Sequence, residues 1–311
     1  MKLLPKSILY LIFFTCLLFL FIDGPTTHSP RSYLKFWDMG HLILFFIGGI
    51  LFLVDFRKYF KDTFPRHLLI VFIFSLVLGL LTELIQVRFH RDPDLGDLTR
   101  DIIGGFIAVI FFSPRRIDLP GRWLKSFKFI LIISVLLELL PLIRASSDEL
   151  IAYEQFPLLS DFETPFEADR WYSAWELPLE KAIARHGKKS LKVQLTTAKY
   201  SAVSLQHFPS DWSGYTNLNF SIFNNQNDTL LLTCRVNDFK HYALGQEYDD
   251  RFNRLLHLAP GWNDYSIPLD EIEQAPVHRE MDIHKIDLVC FFSISLPRPR
   301  IIYIDHVFLS N

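Results

Sequence analysis

Two rhythms divide this chain. Up to about residue 145 the apolar residues come in long unbroken runs, and beyond it they alternate with polar ones. The runs occupy residues 8–22, 37–54, 68–87, 98–112 and 127–143. A hydrocarbon layer of about 30 Å takes about 20 apolar helical residues to cross, so the pattern predicts about five transmembrane helices. Lys2 and Lys6 precede the first run, as in a signal peptide. FIDGPTTHSP follows it in place of a small-residue cleavage site, which predicts an uncleaved helix.

After the last run, RASSDELIAYEQFP reads as a tether or short helix. The segments KKSLKVQLTT, AVSLQHF, NLNFSIFN, TLLLTCRVND, NDYSIPL, IDLVCFFSI and IIYIDHVFL then alternate, separated by Asn, Gly, Pro and Asp. Short alternating strands at such spacing predict an all-β antiparallel sandwich of the jelly-roll kind. The expected organisation is an α-helical transmembrane domain over residues 1–145, a tether over 146–157 and a β-sandwich over 158–311.

Charge adds a direction. The formal net charge of the 311 residues is −2, so no nucleic-acid partner is indicated. Lys2 and Lys6 precede the first run. Arg57, Lys58, Lys61 and Arg66 lie between the second and third, and Arg115, Arg116, Arg122, Lys125 and Lys128 fall around the fourth-to-fifth loop. The alternate loops are poorer in basic residues or mix them with acids. The positive-inside rule then places a multi-pass protein in the inner (plasma) membrane, with a cytoplasmic N-terminus and an extracytoplasmic sandwich. Of the three cysteines, Cys16 falls in the first apolar run. Alternation puts Cys234 with Leu230, Leu232 and Val236, and Cys290 with Ile286, Leu288 and Phe292, so both read as core residues. A disulfide between them is open if this half lies outside the cytoplasm.

Polar residues at the ends of the runs change the picture most. Asp38 and His41 open the second run, Glu83 and Gln86 close the third, and Asp97 and Asp101 open the fourth. On the expected topology all six lie on one side of the membrane. Spacings of three and four put each pair on one helix face. The purely apolar part of the fourth run is 11 residues, 102–112, too short at about 1.5 Å per residue to span. Either it is re-entrant, or the helix carries its acids toward lipid depth, where carboxylates need partners. Arg91, Arg100 and His41 are the nearest candidates. Gly48 and Gly49, like Gly104 and Gly105, offer smooth surfaces for close helix packing.

WDMGH, ELIQ, Arg91, Asp97 and the IIGG run, in that order, resemble the VanZ-like membrane family over about residues 33–113. Where that family usually has Asn four residues after the acid, this chain has Asp101. The resemblance implies a cell-envelope setting and a link to glycopeptide-antibiotic resistance, and it implies no reaction. Three readings of the cluster are open. It could lock helices together. It could bind a membrane lipid head group or envelope saccharide through Asp38, His41, Glu83, Gln86, Arg91, Asp97 and Asp101, with Arg91 suited to phosphate as a bidentate donor. Or it could be catalytic, with Asp38, His41, Glu83 and Asp97 in acid/base or metal chemistry. A single His and the lack of an H-E-x-x-H spacing weigh against the third. His90 reads as a solvated loop residue.

In the second half LLSDFETPFEADRW, HGKKSLKVQL, GWNDYSIPLDEI and RIIYIDHVFL succeed one another. The succession resembles the galactose-binding-like jelly roll of carbohydrate-binding modules over about residues 158–311. That resemblance implies a structural calcium between an early acid and an acid of the last strand, places matched by Glu163 and Asp305. Sugar binding needs flat aromatic faces beside polar groups. Trp171, Tyr172, Trp175, Trp212, Tyr215, Tyr242, Tyr248 and Trp262 are available, and most are expected in packing. The segment VNDFKHYALGQEYDDRFNR, with Asp238, His241, Tyr242 and Arg251, is the best ligand candidate; a mobile hairpin loop is its plainer reading. No nucleophile elbow or spaced carboxylate pair is present. The expected function is therefore non-catalytic, membrane-anchored recognition of an envelope glycan or glycolipid. The alternatives are a membrane enzyme acting on a lipid-linked head group and a structural anchor presenting a sugar-binding domain.

Overall fold

The computed structural model describes residues 5–19, 24, 26, 28–56, 63–87 and 94–311. Lys2, Arg57, Lys58, Lys61, Arg88, His90 and Arg91 lie outside the described residues, and with them part of the charge pattern and the expected phosphate ligand. Among the described residues the chain forms five helices, then eleven strands with short helices between them. It divides into two compact units, Met1–Ile143 and Arg144–Asn311.

The helices are α1 (Lys6–Phe19), α2 (Arg31–Phe56), α3 (Phe64–Gln86), α4 (Leu95–Phe112) and α5 (Gly121–Gln155). Three of them, α2, α3 and α5, are long and apolar enough to cross a membrane, while α1 is apolar but has 14 residues. In α4, Asp97 and Asp101 belong to the first two turns of one unbroken helix. Asp94 caps it, accepting the Gly96 N–H at 2.8 Å. Asp94 and Asp97 sit where the helix dipole favours negative charge.

Small residues let α4 approach both neighbours. A Cβ on Gly104 would run into the Leu42 carbonyl of α2, and one on Gly105 into the Ser75 hydroxyl of α3. Away from these contacts, α3 leaves Leu69, Ile73, Val77, Leu80 and Leu84 exposed, and α5 leaves Phe129, Ile133, Leu136 and Leu140 exposed. Apolar stripes of that extent suit a lipid environment.

α5 continues through Pro141 and takes in residues 146–155, the segment read as a tether or short helix. From Arg144 on it belongs to the second unit, where Asp148 holds its last turns. This buried carboxylate accepts Arg170 Nε and Nη2, each at 2.8 Å. The same guanidinium gives Nη1 to the Leu159 carbonyl at 3.0 Å.

The strands are β1 (Leu158–Ser160), β2 (Trp171–Ser173), β3 (Leu179–Glu180), β4 (Ser190–Leu195), β5 (Ser201–Leu205), β6 (Asn217–Asn224), β7 (Leu230–Asp238), β8 (Phe252–Leu258), β9 (Gly261–Pro268), β10 (Ile286–Ser293) and β11 (Arg300–Ser310). A six-stranded sheet runs β3-β4-β11-β6-β9 with β1 also on β11, and a five-stranded sheet runs β2-β5-β10-β7-β8. Both are antiparallel. Their inner faces close on Trp171, Trp212, Phe220 and Phe291 among many aliphatic side chains. The expected sandwich is thus present. The short β1, β2 and β3 have no counterpart among the seven expected strands, and neither does β8, where the pair Leu255-Leu256 breaks the alternation.

A β-bulge overturns one expectation. The register of β10 shifts between Ile286 and Leu288. Val289 and Phe291 therefore join Ile286 in the core, and Leu288, Cys290 and Phe292 form a second apolar cluster on the sheet's outer face. One extra residue turns all later side chains over. Cys234 stays in the core while Cys290 lies on the opposite face, and both are free thiols.

Candidate functional site

In the helical unit, packing at Gly104 brings the start of α4 against the start of α2. His41 is fully buried, with Nδ1 3.0 Å from Asp101 Oδ1 and Nε2 3.3 Å from Asp97 Oδ2. Glu83, at the end of α3, is also buried, and its Oε2 accepts the Asp94 N–H at 3.0 Å. Atoms of His41, Glu83 and Asp97 lie within 4.8 Å of one another. Arg100, expected as a partner, donates Nη1 to Asp97 Oδ1 at 2.6 Å and Nε to Glu138 Oε2 at 3.0 Å. Gln86 is buried one turn beyond Glu83. Asp38 is partly exposed, pairs with Lys35 at 3.2 Å and also acts on the charge of Arg100. The structure thus brings together His41, Glu83, Asp97 and Asp101. Glu138 of α5 was not foreseen; an acid inside a long apolar run was its signal.

In the sandwich, the segment after β7 is pinned rather than loose. Asp238 is fully buried and accepts Arg279 Nη1 at 2.6 Å, Arg279 Nη2 at 2.8 Å and the Asp282 N–H at 2.9 Å. Arg279 also donates Nε to Asp250 Oδ1 at 2.5 Å, and His241 Nδ1 lies 3.1 Å from Asp250 Oδ2. Burial holds the His241 imidazole below its ordinary pKa. Asp238 and His241 therefore act as loop clamps, and Tyr242 and Arg251 are the half-exposed pair of the four candidates.

Those two belong to a wider surface, the outer face of the five-stranded sheet. Alternation along β7 and β8 puts Arg235, Asn237 and Asn253 there, opposite the core residues Cys234, Val236 and Phe252. The Arg251 guanidinium lies 5.2 Å from the centroid of the exposed Tyr248 ring. Burial, with the Arg235 charge nearby, keeps Arg251 below its usual pKa. Arg251 Nε and Asn253 Oδ1 are buried atoms with no hydrogen-bond partner. Tyr200 stands 4.7 Å, ring to ring, from Phe292, and burial pushes its phenol up to about 12, so its hydroxyl keeps its proton. Tyr172, on β2 at the far edge, is exposed. Tyr200, Arg235 and Asn253 escaped the sequence reading because the bulge in β10 hides which face is outer. The polar alternation in TCRVND was the available signal. Of the other aromatics, Trp171 and Trp212 are core residues, Trp262 packs on Phe223, Tyr215 packs on Phe156, and Trp175 is exposed.

Glu163 and Asp305 both hold one loop. Glu163 Oε1 accepts the N–H groups of Lys188 and Lys189 at 2.6 and 2.8 Å. Asp305 Oδ2 accepts those of Arg185 and His186 at 2.6 and 2.9 Å. Four N–H groups thus point at oxygens that a calcium ion would need. Asp305 Oδ1 is buried without a hydrogen-bond partner, and burial pushes this carboxyl up to about 6.

No family model and no curated protein matches the chain, so the VanZ-like resemblance rests on the motifs that carry it. Among solved structures, a family 11 carbohydrate-binding module from Clostridium thermocellum, in complex with a β-1,3-1,4-mixed-linked tetrasaccharide, is 15% identical. It covers 50% of this chain and 94% of that chain, with a TM-score of 0.37. A family 30 carbohydrate-binding module of a cellulosomal cellulase from the same organism is 11% identical, covering 50% and 92% with a TM-score of 0.35. An exo-β-agarase is 16% identical, covering 49% of this chain and 24% of that chain with a TM-score of 0.38. Likeness at this level says nothing of what the present chain binds.

Proposed function

We propose that this chain is a membrane-anchored, non-catalytic glycan-recognition protein of VanZ-like type. The sandwich holds the saccharide on the outer face of its five-stranded sheet. The helices form a multi-pass anchor with a cytoplasmic N-terminus and an extracytoplasmic sandwich. The observation that carries the reading is the exposed Tyr248 ring with the Arg251 guanidinium 5.2 Å from its centroid. A saccharide lays its C–H face flat on an aromatic ring, and its hydroxyls accept from guanidinium N–H groups. Tyr242 and Arg235 extend the same surface. The calcium implied at Glu163 and Asp305 is not part of this reading, which rests on the outer face of the five-stranded sheet. Affinity electrophoresis of the purified protein through gels of soluble β-glucans, together with binding to peptidoglycan fragments, tests the proposal. Retardation by at least one glycan that is lost in Tyr248→Ala supports it, and equal mobility in every gel refutes it for those glycans.

A further inference from the structure

We propose that His41, Glu83 and Asp97 form a site for one divalent transition-metal ion of the zinc type, with Asp101 and Arg100 as positioning residues. The three ligands come from α2, α3 and α4, are buried, and place one donor atom each within 4.8 Å of the others. His41 Nε2 and Asp97 Oδ2 stand 3.3 Å apart. Two ligands about 2.0–2.1 Å from a tetrahedral zinc lie about 3.3 Å from each other, so this pair already has the separation that a shared ion sets. Glu83 has at most about 1.5 Å to close, within reach of a side-chain adjustment.

The surroundings orient the ligands. Asp101 Oδ1 lies 3.0 Å from His41 Nδ1. A proton on Nδ1, donated to that carboxylate, makes Nε2 the lone-pair atom on the side of Asp97. Arg100 holds the other Asp97 oxygen at 2.6 Å, which keeps Oδ2 toward the imidazole. Asp101 itself is fully buried, and its other oxygen faces Gly79 of α3. Three buried carboxylates thus surround one imidazole. One imidazole with carboxylates suits Zn²⁺ or Mn²⁺. Three protein ligands leave a coordination position for water or a phosphate oxygen. The site needs nothing from the sandwich, so its loss leaves glycan binding unchanged.

The test uses the full chain in detergent, stripped by chelator, loaded with Zn²⁺ and desalted. It should retain about one ion per chain and melt at a higher temperature than the stripped protein. Co²⁺ loading should give visible ligand-field bands. Glu83→Gln keeps the side chain's size and should lower retained metal at least about tenfold, as should His41→Gln. Asp101→Asn should keep part of the metal but shift the cobalt bands, because it acts through His41. Size-exclusion profiles identify any variant that fails to fold, and Glu83→Gln serves if His41→Gln is lost. If the stripped parent takes up none of Zn²⁺, Mn²⁺ or Co²⁺, the proposal falls and the cluster is an imidazolium held between two carboxylates. It also falls if folded Glu83→Gln retains as much metal as the parent.

Discussion

A buried carboxyl such as Asp305 reports on its surroundings through pH. Its pKa of about 6 in the fold exceeds the ordinary carboxylate value of 3.8, burial being the largest cause. The folded chain therefore holds a proton between pH 4 and 6 that the unfolded chain has released. The stability this group contributes is fully present below the unfolded value and is lost as pH rises through the folded one. Asp305→Asn is neutral throughout and still offers an oxygen to the Arg185 and His186 N–H groups. Its sandwich should melt no lower than the parent at pH 7 and should gain less on acidification from pH 7 to 5. Identical pH profiles for parent and variant would contradict this. N–H donors engage Glu163 Oε1 and Asp305 Oδ2 while Asp305 Oδ1 has no hydrogen-bond partner, so the melting temperature of the parent with added calcium tests whether the remaining oxygens hold an ion. A calcium-dependent rise would restore the ion to this place.

Helix α4 shows how one element positions a cluster. Gly104 meets the Leu42 carbonyl with no room for a Cβ, next to His41 on α2. Gly104→Val should force the helices apart, at a cost of about 1–3 kcal/mol for overpacking. A detergent melt that matches the parent would mean the contact is looser than it looks. The end of α5 makes a second case. Asp148→Ala leaves the buried Arg170 guanidinium without its carboxylate and should cost about 3–5 kcal/mol, read as a lower denaturant midpoint for the sandwich. Much of this was legible beforehand. The run lengths gave the helices, the i,i+3 and i,i+4 pairs gave the polar edge, and alternation gave most strands. What stayed hidden depends on partners distant in sequence. The β10 bulge put Cys290 on the outer face against its alternation. Arg279 made a clamp of Asp238, 41 residues away, and Asp250 held His241. No local pattern in RASSDEL announces the Asp148–Arg170 pair that holds the last turns of α5.

At the scale of the whole molecule, two units with separate cores share one chain. The sandwich core draws on both sheets and on none of the first four helices. A fragment spanning Arg144–Asn311 should therefore be soluble and unfold cooperatively, and persistent aggregation of that fragment would mean its stability depends on the helices. The helices carry apolar stripes suited to lipid, so the full chain should partition with membranes and need detergent for release. The central claim is that a glycan lies on the outer face of the five-stranded sheet. Its most direct measurement is the dissociation constant of the retained glycan for the parent, Arg251→Ala and Tyr248→Ala, by titration calorimetry in one detergent buffer. The account predicts at least about a tenfold loss for each variant, roughly 1.4 kcal/mol, with melting temperatures near the parent's. Unchanged affinity in both variants, with the glycan still bound, would place the ligand elsewhere and contradict the account.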